Sequence, residues 1–565
     1  MHPCCRTDTI VSYPCVTKYE APEIIKSDQG RQFISKERTA ACGAYPDMKV
    51  SMDGVEYATW GQINKKMTVL ARSWGFLQYL WGKIFDMALI GRKKETQELD
   101  RYMLSGKAEF IAIYGRRRVG KTFLVDSYFN YSYSFYTTGI IGGKRKEEMT
   151  AFYQSLKSAG FTGNKPKTWM EAFSILTEVL SVKKQEDKRR IVFMDELPCF
   201  ATPSSGFVKA LDWFWNSWAS KQPDMLLVVC GSATSWIVRN IINNKGGLHN
   251  RITHEMHLNP FTLAETSMYL ESEGFVWDEI SVVQTYMILG GIPYYLSLLK
   301  PELSISQNVD KLFFTPNAEL KMEYNRLYNS LFKTPDKYMS IIELLASNNK
   351  GLTRKEITKA LGKESSGHLS ERLEDLINCD FIRLYNVKNK KISSTGGLFQ
   401  LTDFYSIFYH EFGRINTTDT AYWTKLIKSH KQSTWWGLAY ERLCMAHIPQ
   451  MLSALGVESV HTEYYSWRSK KDSDGKKNER GAQVDLIIER DDRIINLCEI
   501  KYLSDEEYEL DSDERLKIAN RISRFKKETG TRYGVIPTLI TTYGLKKNKH
   551  SSFFTQIVSM YDLMK

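Results

Sequence analysis

Gly115-Arg-Arg-Arg-Val-Gly-Lys-Thr122 is the stretch from which the rest of the chain is read. Before it, Phe110-Ile-Ala-Ile-Tyr114 is a short apolar run; after it, Phe123-Leu-Val-Asp-Ser-Tyr128 has helical character. Strand, glycine loop and helix in that order make the pattern G-x-x-x-x-G-K-[ST] a phosphate cradle. Gly115 and Gly120 permit a tight backbone, so the N–H groups of the loop (Arg116, Arg117, Arg118, Val119) can point inward at anionic oxygens. Lys121 is placed to bring its ammonium to the β- and γ-phosphates, and Thr122 to offer a hydroxyl to Mg²⁺. Both stand at a helix N-terminus, where the dipole already favours negative charge. The stretch implies a nucleotide site.

Downstream, Arg189-Arg-Ile-Val-Phe-Met-Asp-Glu-Leu197 reads as a buried strand ending in two carboxylates. Asp195 would hold the Mg²⁺ shell, and Glu196 would orient or deprotonate the attacking water. A second apolar strand, Met225-Leu-Leu-Val-Val-Cys230, runs into Gly231-Ser-Ala-Thr-Ser235. In a parallel sheet its end lies beside the phosphate loop, because ligands bind at the carboxyl ends of the strands. Ser232 or Thr234 is therefore a candidate γ-phosphate sensor, a small turn residue being the other reading. Arg251, in Asn250-Arg-Ile-Thr253, is a candidate charge-stabilising finger, supplied in cis or by a neighbouring copy in a homo-oligomer. Trp169–Val182 reads as an amphipathic helix.

The 565 residues suffice for roughly three or four domains at about 150 residues each. An apolar content of 42% with 13% aromatic residues supports packed cores. Lys and Arg exceed Asp and Glu by 77 − 65 = 12, which suits a polyanionic partner or a positive solvated surface. Nine cysteines include no C-x-x-C pair. Five of them (Cys199, Cys230, Cys379, Cys444, Cys498) fall in apolar runs, the pattern of reduced core thiols in a cytoplasmic protein. No segment reaches the ~20 apolar residues needed to span a bilayer. Met67–Phe85 is the nearest, but Arg72, Gln78 and Lys83 interrupt it. No membrane partner is expected.

Together, Ile90-Gly-Arg92, Gly115–Thr122, Asp195-Glu196, Gly231-Ser232, Arg251 with Leu258-Asn-Pro-Phe261, and Leu289-Gly-Gly-Ile-Pro293 resemble the archaeal-type ATPase family of AAA+-like P-loop proteins. The resemblance covers about residues 88–545. It implies ATP and Mg²⁺ as ligands, and an α/β fold: a P-loop parallel sheet with a helical lid, then a winged helix, then an α/β restriction-endonuclease-like domain. Two departures are Pro198, directly after the acidic pair, and Asn-Arg-Ile-Thr where relatives often show a more basic run. The boundaries expected are 87–260 for the ATPase core, 261–332 for the lid, 333–400 for the winged helix and 401–565 for the last domain. Residues 1–86 are poorly patterned, expected to be a flexible extension or to precede a natural start at Met67 or Met87.

Residues 334–390 read as three short helices and a hairpin, with Lys388, Lys390 and Lys391 at the tip of the wing. A winged helix suggests DNA. Yet the third helix carries Glu371, Glu374 and Asp375, which work against phosphate contacts and favour packing or protein binding equally. Further on, Trp435-Trp-Gly-Leu-Ala-Tyr-Glu441 begins a helix, and Lys470–Glu479 is a charged loop. Ala482–Ile488 and Ile494–Tyr502 then read as a hairpin. Period two places Glu499 and Lys501 on one face, with Asp485 across the ladder. Asp and Glu can share a divalent cation, Lys can steady charge on a phosphoryl group, and Glu441 could complete the metal shell. This pattern resembles the PD-(D/E)xK nuclease superfamily, with Asp485 and Glu499-Ile-Lys501 as its core. The resemblance implies cleavage of DNA, or a silent site used for binding. The alternative for the whole chain is an ATP-driven switch whose C-terminal half holds a protein or DNA without cutting it.

Overall fold

Strands buried on both faces need apolar residues at every position rather than every second one. Glu109–Tyr114, Arg190–Asp195 and Met225–Gly231 meet that need except at the charged strand ends Glu109, Arg190 and Asp195, and all but Tyr114 of these positions are buried. In the computed structural model they form the middle of a five-stranded parallel sheet. Its order is Phe135–Thr138, Arg190–Asp195, Met225–Gly231, Glu109–Tyr114, His254–His257. The two edge strands were not legible in the sequence. Each is four residues long, and His-Glu-Met-His is too polar to read as a strand.

Helices Arg145–Ser158, Trp169–Val182 and Phe207–Ser217 contribute to the core against the sheet. Trp169 lies at its centre, edge-on to Phe152 at 5.4 Å and to Phe207 at 4.9 Å. Burying each such ring contributes about 1.5–3 kcal/mol. Residues 263–331 are largely helical; two of their helices start at capping boxes, Thr262 with Glu265 and Ser304 with Gln307.

Helices Pro335–Ala346, Arg354–Leu361 and Ser366–Asn378 follow, with a small antiparallel sheet in the order Leu352–Thr353, Leu398–Leu401, Ile382–Tyr385. Two acids of the third helix, Glu371 and Asp375, face the domain of the parallel sheet. Arg239 ion-pairs with Asp375 and with Glu371, the latter at 3.0 Å, and Asp380 beyond the helix meets His257 at 3.0 Å. Tyr338 also donates its hydroxyl to Asp375 at 2.6 Å.

The last sheet joins Thr462–Arg468, Gln483–Arg490 and Ile494–Lys501 antiparallel, then Gly534–Thr541 and Gln556–Val558 parallel. Helix Ser512–Thr529 makes the crossover. The helix bearing Glu441 begins at His430 rather than at Trp435, because Ser429 accepts from the Gln432 N–H and caps it there.

The structure describes residues 89–183, 188–232, 234–243, 251–349, 351–362, 366–385, 397–469 and 482–565, with two short paired strands, Ile25–Lys26 and Gln32–Phe33. The expectations for the rest of 1–86, for Lys388, Lys390 and Lys391, and for the loop at 470–479 lie outside the described residues. Residues 90–565 form one compact unit. Cys230, Cys379, Cys444 and Cys498 are buried free thiols, and Cys199 is partly exposed. No helix among the described residues is long and apolar enough to cross a membrane.

Candidate active site

The parallel register brings the ends of three strands to one edge of the sheet. Tyr114 lies beside Gly231, and Asp195 follows Met194, which pairs with Val229. The phosphate loop leaves this edge and re-enters as helix Lys121–Tyr128. Gly115 has φ 145°, and a Cβ there would sit 2.4 Å from the Leu258 carbonyl oxygen, so the first loop position excludes any side chain. Gly120 takes φ 87° to start the helix. Lys121 is buried, and its ammonium donates to the carbonyls of Gly115 at 2.8 Å and Arg116 at 2.9 Å. Burial pushes its pKa down, with Asp195 and Glu196 among the groups opposing this. A desolvated ammonium held by carbonyls alone is prepared for an anion.

Thr122 donates its hydroxyl to Asp195 Oδ2 at 2.8 Å. Asp195 is buried; burial first, then the neighbouring Glu196, raise its pKa. Hydroxyl and carboxylate are hard oxygen donors, and a pair of them beside a phosphate loop fits Mg²⁺, which takes oxygen ligands and keeps several waters. Glu196 adopts the left-handed region at φ 44°, an uncommon conformation for a side-chain-bearing residue and one that clusters at functional turns. Its carboxylate accepts from Ser232 Oγ at 2.9 Å and from the Ser232 N–H at 3.2 Å. Ser232 thus touches the carboxylate of Glu196. Thr234 is buried at the start of helix Thr234–Ile237.

Arg251 is corrected as a finger acting in cis. It is exposed and precedes strand His254–His257, whose His254 pairs with Ile111 and whose His257 pairs with Tyr114. The strand runs parallel to the phosphate-loop strand, so Arg251 lies at the opposite edge of the sheet. From there it does not reach the loop of its own chain.

The loop's own arginines make contacts that spacing could not reveal, since their partners are 287 and 205 positions away. Arg116 is buried, ion-paired with the buried Asp403, and lies 4.8 Å over the Phe381 ring. Asp403 also caps helix Phe404–Phe408, accepting from Ser406 N–H at 3.0 Å. Arg118 pairs with Glu323 at 3.2 Å and covers the Tyr294 ring at 3.9 Å. Removing one partner of a buried pair strands the other charge, which costs about 3–5 kcal/mol. Asp403→Ala is therefore expected to lower unfolding stability by that amount in denaturant titrations. Arg116→Met with Asp403→Leu should recover most of it.

In the last sheet, Leu486 pairs with Cys498, so Asp485 and Glu499 follow at adjacent positions across the hairpin. Glu441 is near both. Burial, then the charge of Asp485, with Glu499 a further contribution, push its pKa up to about 7. Glu441, Asp485 and Glu499 thus stand near one another, although among the described residues no group of three or more His, Cys, Asp or Glu is gathered closely enough to hold a metal ion. Glu499 is instead ion-paired with Lys501 at 2.9 Å and with Arg521, and Lys501 also meets Glu514 at 3.1 Å. Two cations, Lys501 and Arg521, therefore accompany the Glu499 carboxylate.

Residues 89–299 match a family described as an ATPase domain predominantly from Archaea. An uncharacterized protein of Methanocaldococcus jannaschii is 25% identical over 328 residues, covering 57% of this chain and 68% of that one. Among solved structures, a Walker-type ATPase of Pyrococcus abyssi is similar with 18% identity and a TM-score of 0.41, over 58% of this chain and 96% of that one. The ORC2 protein of Aeropyrum pernix has 14% identity and a TM-score of 0.38, over 62% and 98%.

Proposed function

We propose that the archaeal-type ATPase domain of residues 89–299 binds ATP with Mg²⁺ and hydrolyses it. The observation that carries this reading is the contact of Thr122 with Asp195 at 2.8 Å, with Glu196 next in the chain and held by Ser232. Lys121 and the loop N–H groups bind the phosphates. Thr122 and Asp195 would hold Mg²⁺, which supplies charge neutralisation to the triphosphate. Glu196 orients the attacking water and takes its proton, and Ser232 fixes the direction of that carboxylate. Phosphate release from ATP by the full chain, stopped by chelation, tests it.

A second reading gives the C-terminal sheet a role on DNA. The adjacent positions of Asp485 and Glu499, with Lys501 one turn of the pleat beyond, support a nuclease-like site. The order of helix, three antiparallel strands, crossover helix and parallel strand also supports that resemblance. Helices and small sheet at 335–401 follow the winged-helix order, but Glu371 and Asp375 are engaged by Arg239, which favours packing over base reading for the third helix. The net charge of +12 suits a polyanion. The test is nicking of several DNA forms with Mg²⁺ or Mn²⁺, with and without ATP. Asp485→Ala is expected to abolish cleavage and leave ATP turnover largely intact, because the two sites are built from separate sheets. If the wild type cuts no DNA form but holds DNA equally well with Asp485 replaced, the C-terminal half is a binding module and the chain an ATP-driven switch.

A further inference from the structure

Three successive arginines line the phosphate loop, and the fold accounts for two. Arg116 is ion-paired with Asp403, with its Nε and Nη2 buried without hydrogen-bond partners among the described residues, and Arg118 is ion-paired with Glu323. Arg117, between them, is only partly exposed, and its side chain has no ion pair or hydrogen bond among the described residues. Its Nη1 is buried without a partner. Leaving a buried guanidinium donor unpaired is costly, so such a group is a seat for an anion.

Arg117 stands in the phosphate loop between Gly115 and Gly120, so an unpaired guanidinium nitrogen there is available to the anion that the loop is built to hold. It is also one of the charges acting on the Cys199 thiol, which is pushed up to about 12, by burial first and then by Glu196, Glu148 and Asp195, with Arg117 opposing them. Lys121 approaches the phosphates from within the loop.

We propose that Arg117 is the charge-stabilising finger of this site, supplied by the phosphate loop itself and acting on the γ-phosphoryl group in transfer. The inference rests on the ATP-hydrolysing reading above. Water attacks the γ-phosphorus and gives a proton to Glu196. The bond to the β,γ-bridging oxygen breaks, and ADP leaves with its electron pair, inorganic phosphate being the other product. Arg117 donates hydrogen bonds to the γ-oxygens as their charge spreads, and transfers no proton. Within one chain, the role expected of Arg251 falls to a residue already in the loop.

The test compares wild type, Arg117→Ala and Arg117→Lys as full chains, measuring ATP affinity and single-turnover hydrolysis separately. An in-cis finger predicts a fall in rate on the order of 10³-fold or more, with ATP affinity changed by no more than about threefold, since the contact is made in the transition state. Free guanidinium should restore part of the rate to Arg117→Ala, and lysine should not, lacking the planar fork. ADP with aluminium fluoride should be trapped by wild type and not by Arg117→Ala, although both hold ADP. An unchanged rate, or an affinity loss that matches the rate loss, overturns the proposal. ADP binding by the variants separates these outcomes from misfolding, and a variant that no longer holds ADP assigns Arg117 a structural role and also overturns it. If wild type binds ATP without hydrolysing it, the ATPase reading fails and this inference with it.

Discussion

Lys121→Ala is expected to weaken ATP binding by two orders of magnitude or more in calorimetric titration. The ammonium now donates to two carbonyls at the mouth of the loop, at 2.8 and 2.9 Å, and is buried there. Phosphate oxygens arriving in the loop replace neutral acceptors with charged ones. A hydrogen bond to a charged group contributes about 1.5–3 kcal/mol, and two of them amount to roughly 10²- to 10⁴-fold in affinity at about 1.4 kcal/mol per tenfold. The alanine also removes the positive charge from a desolvated site. Undiminished ATP binding would remove the phosphate-loop assignment.

Glu196→Gln separates binding from chemistry. The amide keeps the size of the side chain and can still accept from Ser232 through its oxygen, so the turn at φ 44° has no cause to move. What is lost is the capacity to take a proton from water, which typically contributes 10²- to 10⁴-fold. The variant should therefore bind ATP as tightly as wild type and hydrolyse it about 10²-fold more slowly or worse. An unchanged rate would pass the role of base to another group.

What the sequence disclosed, and what it hid, follows from how local each signal is. The phosphate loop lies between an apolar strand and a helix, all within positions 109–128, and the setting was read from the sequence alone. The acidic pair ends a fully buried strand, a signal equally local. The in-cis reading of Arg251 fails on strand His254–His257: four polar-rich residues give no period, and without that strand the direction of the chain at Arg251 is not legible. Asp403 and Glu323 were hidden for another reason. No pattern in the loop says which distant carboxylates will meet its arginines.

The C-terminal hairpin shows the same division. Alternation set the register that brings Asp485 and Glu499 to adjacent positions. Arg521, on the helix that follows, pairs with Glu499 through tertiary packing alone. The acidic constellation was therefore legible, and its neutralisation was not.

The most direct measurement of the central claim is the nucleotide retained by the full chain after incubation with ATP and Mg²⁺, identified by chromatography of the denatured protein. The account predicts ADP in the wild type, intact ATP in Glu196→Gln, and no retained nucleotide in Lys121→Ala. ATP left intact on the wild type, or ADP on Glu196→Gln at the wild-type rate, would contradict a hydrolytic site built from Gly115–Thr122, Asp195 and Glu196.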